Sequence, residues 1–186
     1  MARTESAMIE LGTEAPAFDL IDVVTGEHRD LEQVRGKDGL LAMFICEHCP
    51  FVKHVEAELA AIGKEYAGKG LGIVAISSND ADNYPADAPE GLKAQAERLG
   101  FSFPYLYDET QQVARAYDAT CTPDFFLFGK ELKLVYRGQL DDSRPGNGIP
   151  VTGKDLRAAL DALLAGQPVS AEQRPSIGCN IKWKKS

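Results

Sequence analysis

The sequence predicts an α/β fold in which a central mixed β-sheet is flanked by helices, with an amino-terminal β-hairpin extension and a carboxy-terminal tail. Three observations carry this. LLAMFI (40–45) and LGIVAIS (71–77) are apolar throughout, as strands covered on both faces must be. A helical spacing of apolar residues follows the first run, and another follows the second after a polar loop, which is the order of parallel βαβ units. DFFLF (124–128) and KLVYRGQL (133–140) then flank Gly129-Lys130 and read as an antiparallel hairpin. With 186 residues and 44% hydrophobic content, the chain is expected to form a single domain over 1–186, with its core at about 11–165 and a tail at 166–186.

In chain order, Phe18, Leu20 and Val23 suggest a strand, Thr25-Gly26 a turn, and Leu31 to Val34 a helical turn, which together make the leading extension. After the first apolar run, Val52, Val55, Leu59, Ile62 and Tyr66 recur at helical spacing, and Gly68 and Gly70 supply a stop. NDADNYPADAPE (79–90) reads as a polar surface loop. A helix over 91–99, a short strand in FPYLYD (103–108) and a helical piece over 111–118 come next. The last helix opens at Thr152, where Thr-x-x-Asp resembles a capping box, and runs through Leu156, Leu160, Leu163 and Leu164 to Gly166. The tail beyond it has no usable periodicity, and its Trp183 is expected to anchor it by burying a large apolar ring.

A net charge of −8 and a pI near 4.9 disfavour a polyanionic partner, so no nucleic acid is expected. Lys182, Lys184 and Lys185 read as a solvated terminus. MARTESAMIELGTEAP (1–16) lacks an apolar leader and no later run would span a bilayer, which predicts a cytoplasmic protein without membrane contact. In that reducing compartment a close cysteine pair is expected to react rather than to staple.

FICEHCPFV (44–52) holds that pair where the first apolar run meets the helical pattern. A helix amino terminus favours a thiolate, and Cys46 is read as the thiol so placed, with Cys49 one turn on as the resolving partner. His48 would add positive charge beside the thiolate and Glu47 would oppose it, while Pro50 fits a first helical turn beginning near Glu47 or His48. Two other readings stay open. The cysteines could be small buried apolar residues, or Cys46, His48 and Cys49 could hold a metal, although His28, His54, Cys121 and Cys179 supply no second knuckle of ligands.

Together with TCTPDFFLF (120–128), these motifs resemble the thioredoxin-like superfamily, in its peroxiredoxin-like redoxin branch, over about 11–165. The stretch from Glu47 to His54 and the tail SIGCNIKWK (176–184) are similar to a small group of bacterial redoxins that carry both. The resemblance implies a cis Thr122-Pro123 bond facing the cysteine pair, with Thr122 and Pro123 forming the edge on which a substrate docks. It gives Cys46 the nucleophile role and Cys49 the resolving role. Unlike thioredoxin, the chain has Ile45 rather than Trp before the first cysteine, Glu-His rather than Gly-Pro between the pair, and no acid in LLAMFI. The peroxiredoxin pattern Pro-x-x-x-Thr/Ser-x-x-Cys also fails: Gly39 and Met43 precede Cys46, and Ala42 and Cys46 precede Cys49, at its two defining places.

Cys121, two residues before Pro123, is read as a buried structural thiol near the active-site edge. Cys179 is read first as a packed, unlinked thiol and, as the alternative, as an auxiliary thiol that would pair with Cys121 or exchange with Cys46. The leading function is a thiol-disulfide oxidoreductase working through Cys46 and Cys49 on a protein or small-molecule disulfide, with a thiol reductant and no cofactor or metal. Alternatives are a thiol peroxidase and a module binding copper or zinc through CEHC.

Overall fold

A computed structural model describes residues 3–186; the first two residues of the amino-terminal stretch read above lie outside the described residues. The chain begins with β1 (Arg3–Glu5), β2 (Asp19–Asp22), β3 (His28–Asp30), α1 (Leu31–Val34), β4 (Gly39–Phe44) and α2 (Pro50–Tyr66). It continues with β5 (Leu71–Ser77), α3 (Pro89–Leu99), β6 (Tyr105–Tyr107), α4 (Gln112–Tyr117) and β7 (Cys121–Thr122). β8 (Asp124–Gly129), β9 (Leu134–Gly138), α5 (Lys154–Leu164) and β10 (Ile177–Asn180) complete it. No described helix is long and apolar enough to cross a membrane.

The described residues form a seven-stranded sheet in the order β3-β2-β6-β5-β4-β8-β9, parallel across β6-β5-β4 and antiparallel elsewhere. β4 lies inside it because both its faces are apolar. Leu41 and Met43 join one core with α2, α3 and α5, while Leu40, Ala42 and Phe44 join another with α1 and α4. α2 presents Val52, Val55, Leu59, Ile62 and Tyr66 to the first core along a single helical stripe, each large side chain contributing about 1.5–3 kcal/mol by leaving water. The mixed sheet flanked by helices and the leading β2–β3 hairpin are as expected from the sequence.

Four local expectations need correction. α5 opens at Lys154 behind a left-handed Gly153 (φ 67°), which has no side chain to cap it, and the Thr152 N–H goes to Asp141 Oδ2 at 2.7 Å while Asp155 accepts from Gln139 Nε2. Segment 79–90 is only partly a surface loop: a 3₁₀ turn, Pro85–Asp87, folds back and buries Asn79, Asp80 and Asp87. The tail is structured, since β10 lies between β1 and β7 in a second, three-stranded sheet, with Cys179 opposite Arg3 on one side and Thr122 on the other. Cys179 and Ile181 anchor it in the cores, whereas Trp183 stays 37% exposed beneath the Arg115 guanidinium at 4.4 Å. Lys182 is likewise not a solvated lysine: it is buried, and its Nζ donates to the Asn180 carbonyl at 2.7 Å.

β8 carries an unusual burden. Asp124 is fully buried, one carboxylate oxygen has no partner, and burial pushes its carboxyl up to about 8 against the hydrogen bonds it accepts, Thr120 N–H among them. An unfolded aspartate titrates near about 3.9, so the folded chain keeps a proton that the unfolded chain releases between those values. Asp124's favourable contribution is therefore whole below about pH 4 and is lost as the pH rises towards 8. Relative to the parent, Asp124→Asn is expected to gain on the order of 3 kcal/mol between pH 4.5 and pH 8. Urea unfolding at both values checks it; a difference independent of pH would refute the assignment.

Candidate active site

Pro50 occupies the first helical position of α2, so Cys49 is its N-cap and Cys46 lies in the non-helical approach. This corrects the expected start near Glu47 or His48, and it gives the helix-terminal place to Cys49 instead of Cys46. The two thiols both face Thr122: Cys46 Sγ lies 3.6 Å from Thr122 Oγ1, and Cys49 Sγ lies 3.4 Å from Thr122 O. The Thr122-Pro123 peptide bond is cis, as the resemblance implied.

The edge expected to receive a substrate is covered by the chain itself. β10 runs antiparallel along Cys121–Thr122. Gly178 makes this possible, because a Cβ there would lie 1.9 Å from the Thr122 carbonyl oxygen. Cys179 is thereby seated against Cys49, a contact the sequence reading did not name. Its Sγ lies 2.7 Å from Cys49 Sγ, while Cys121 is buried with its thiol on the Pro123 carbonyl at 3.6 Å. All four cysteines stand as thiols, and Cys46, Cys49 and Cys121 are completely buried.

Asp87, which no sequence motif singles out, organises the other side of Cys46. One carboxylate oxygen accepts the backbone N–H groups of Glu47 (2.8 Å) and His48 (3.1 Å). The other takes the Asn79 amide at 3.0 Å and a short hydrogen bond from His48 Nδ1. Burial alone would raise this carboxyl, but the bonds from His48 and Asn79 hold it below the usual range. Tyr84 stacks on the imidazole with centroids 5.0 Å apart, and His48 Nε2 is buried without a hydrogen bond. Glu47 turns outward to Lys53 (3.2 Å) and Arg98 (3.4 Å), which blunts its effect on the thiols.

Cys46, His48 and Asp87 bring a sulfur, a nitrogen and an oxygen within 4.8 Å of one another. These are the donors that could hold a zinc or copper ion, so the expected set of Cys46, His48 and Cys49 is corrected: Cys49 faces Cys179, and Asp87 takes its place. Burial, the Cys49 hydrogen bond and the Asp87 charge push the Cys46 thiol well up. Cys49 goes the other way. When ionised it accepts from the Cys179 and Cys46 thiols, which outweighs burial and holds it far below an ordinary thiol. A cleft of about 660 Å³ beside α5 and residues 168–174 is lined by none of the four cysteines.

Residues 11–137 match the model of the AhpC/TSA family. The chain belongs to the AhpC/TSA family. Among relatives of this AhpC/TSA protein is the thiol-disulfide oxidoreductase ResA of Geobacillus kaustophilus, 32% identical over 141 residues that cover 74% of this chain and 75% of the relative. The crystal structure of an uncharacterised conserved protein, also from Geobacillus kaustophilus, is 60% identical, with a TM-score of 0.98 over 100% of this chain and 98% of that one. The thioredoxin domain of a thiol-disulfide oxidoreductase from Bacteroides vulgatus has 22% identity and a TM-score of 0.58, over 69% of this chain and 88% of that one. That likeness shows a shared thioredoxin-like fold.

Proposed function

We propose that the disulfide exchange catalysed by this thiol-disulfide oxidoreductase runs through Cys46 as attacking sulfur and Cys49 as resolving sulfur. The convergence of both thiols on Thr122, next to its cis bond to Pro123, carries this reading. Cys46 gives its proton to His48, which Asp87 orients, and attacks one sulfur of the substrate disulfide. The departing sulfur takes that proton. Cys49 then releases its proton, a loss the neighbouring thiols favour, and attacks Cys46; the second substrate sulfur leaves and takes up that proton, and a Cys46–Cys49 disulfide remains for a thiol reductant to reopen.

Because Cys46 is buried, a protein or small-molecule disulfide reaches it when the covering segment 79–88 moves aside. The reading takes the compartment to be the cytoplasm, where the pair is kept reduced. A thiol peroxidase is the second reading, favoured by the Thr122 hydroxyl beside Cys46 in an AhpC/TSA chain.

In a Cys49→Ser protein treated with glutathione disulfide, a mixed disulfide should accumulate on Cys46, and intact-mass and peptide mapping would locate it. Glutathione on another cysteine overturns the role assignment. Rapid peroxide consumption with a supplied dithiol, without reduction of insulin, favours the second reading.

A further inference from the structure

The carboxy-terminal strand does more than cover an edge. Cys179 Sγ is 2.7 Å from Cys49 Sγ, nearer to it than the Thr122 carbonyl oxygen at 3.4 Å, and the strand that bears it is held on both sides. Ahead of Cys179, Ser176 Oγ donates to the Pro123 carbonyl at 2.6 Å. Behind it, the Lys182 N–H donates to Asn79 Oδ1, and the Lys182 carbonyl accepts from Asp80 N–H and Gln111 Nε2, each at 2.8 Å. Gly178 lets the strand press against Thr122, since any side chain there would strike the carbonyl. A thiol serving only as core filler needs no such precise seat against a second thiol.

We propose that Cys179 is a third redox thiol, and that Cys49 is the shared sulfur of two alternative disulfides, Cys46–Cys49 and Cys49–Cys179. The proposal rests on the Cys46/Cys49 reading above and extends it. Starting from the Cys46–Cys49 disulfide, Cys179 loses its proton and attacks Cys49 Sγ. The Cys49–Cys179 bond forms as the Cys46–Cys49 bond breaks, and Cys46 leaves as a thiolate that takes up the proton Cys179 released. No electrons enter or leave the chain: one disulfide exists before the step and one after it. The attacking thiol is thus restored beside His48 and Asp87 while the oxidising equivalent sits under β10. An external dithiol then reduces Cys49–Cys179, its first sulfur forming a mixed disulfide and its second releasing the protein thiol.

Disulfide mapping tests this once Cys46 is replaced: Cys46 and Cys49 share the tryptic stretch between Lys37 and Lys53, whereas Cys179 and Cys121 lie on two others, so without Cys46 a link from that stretch can come only from Cys49. In Cys46→Ser protein oxidised by diamide at low concentration, most of the protein should carry an intramolecular Cys49–Cys179 link. Its absence, or a Cys121–Cys179 link in its place, overturns the proposal; Cys46→Ala gives the same readout if the serine variant does not fold. Cys179→Ser separates this outcome from the earlier reading. If it still forms Cys46–Cys49 while Cys46→Ser forms no Cys49–Cys179, only the third thiol is refuted. If Cys179→Ser forms no Cys46–Cys49 disulfide, the underlying pair has failed. In the wild type, one equivalent of oxidant should yield both linked species, and a reductant should remove them together.

Discussion

Cys46→Ser is expected to reduce insulin or dithionitrobenzoate at least about a thousandfold more slowly than the wild type, while melting within a few degrees of it. The serine hydroxyl is nearly isosteric and can keep the contact with Thr122 Oγ1, so packing survives. What disappears is the sulfur that must become a nucleophile. A hydroxyl stays protonated near neutrality, so the proposed proton transfer to His48 has no thiol from which to start. Cys121, buried with its thiol pushed up by desolvation and by the Asp124 charge, serves as the control: Cys121→Ala should keep turnover within about twofold. If Cys46→Ser retained a tenth of wild-type activity, another sulfur would have to be the entry point.

Asp87→Ala has the second largest expected effect. The substitution strands two backbone N–H groups, the Asn79 amide and His48 in a buried setting, and should cost about 3–5 kcal/mol of stability. It also removes a negative neighbour that raises Cys46, so the pH midpoint for alkylating Cys46 should move down. Asp87→Asn retains an acceptor and should recover much of the stability but not the alkylation midpoint. Urea titration and iodoacetamide rates against pH measure the two effects separately. A loss under about 0.5 kcal/mol in the alanine variant would mean that the loop holds its shape without the carboxylate.

The legible parts of this molecule are those whose cause is local. LLAMFI becomes β4 because six apolar residues in a row have nowhere else to go, and Val52 to Tyr66 becomes α2 because its apolar residues share a stripe. The CxxC and its neighbourhood with Thr122-Pro123 came from motifs. The start of α2 was also legible in principle: proline at the first helical position assigns the N-cap to Cys49, where reading the helix two or three residues early favoured Cys46. β1 and β10 left no signal, since each is three or four residues long and pairs only with segments distant in sequence. Asp87 was hidden for a related reason. In a stretch with three other acids it looks like solvated surface, and only the fold brings Glu47 and His48 to it.

The complete enclosure of the thiols sets a clock on the chemistry. However reactive a sulfur is once uncovered, a bulky reagent meets it only during brief excursions in which segment 79–88 or β10 lifts away. Scavenging by large electrophiles would then report how often the molecule breathes, and small oxidants would be admitted at a rate the protein sets for itself.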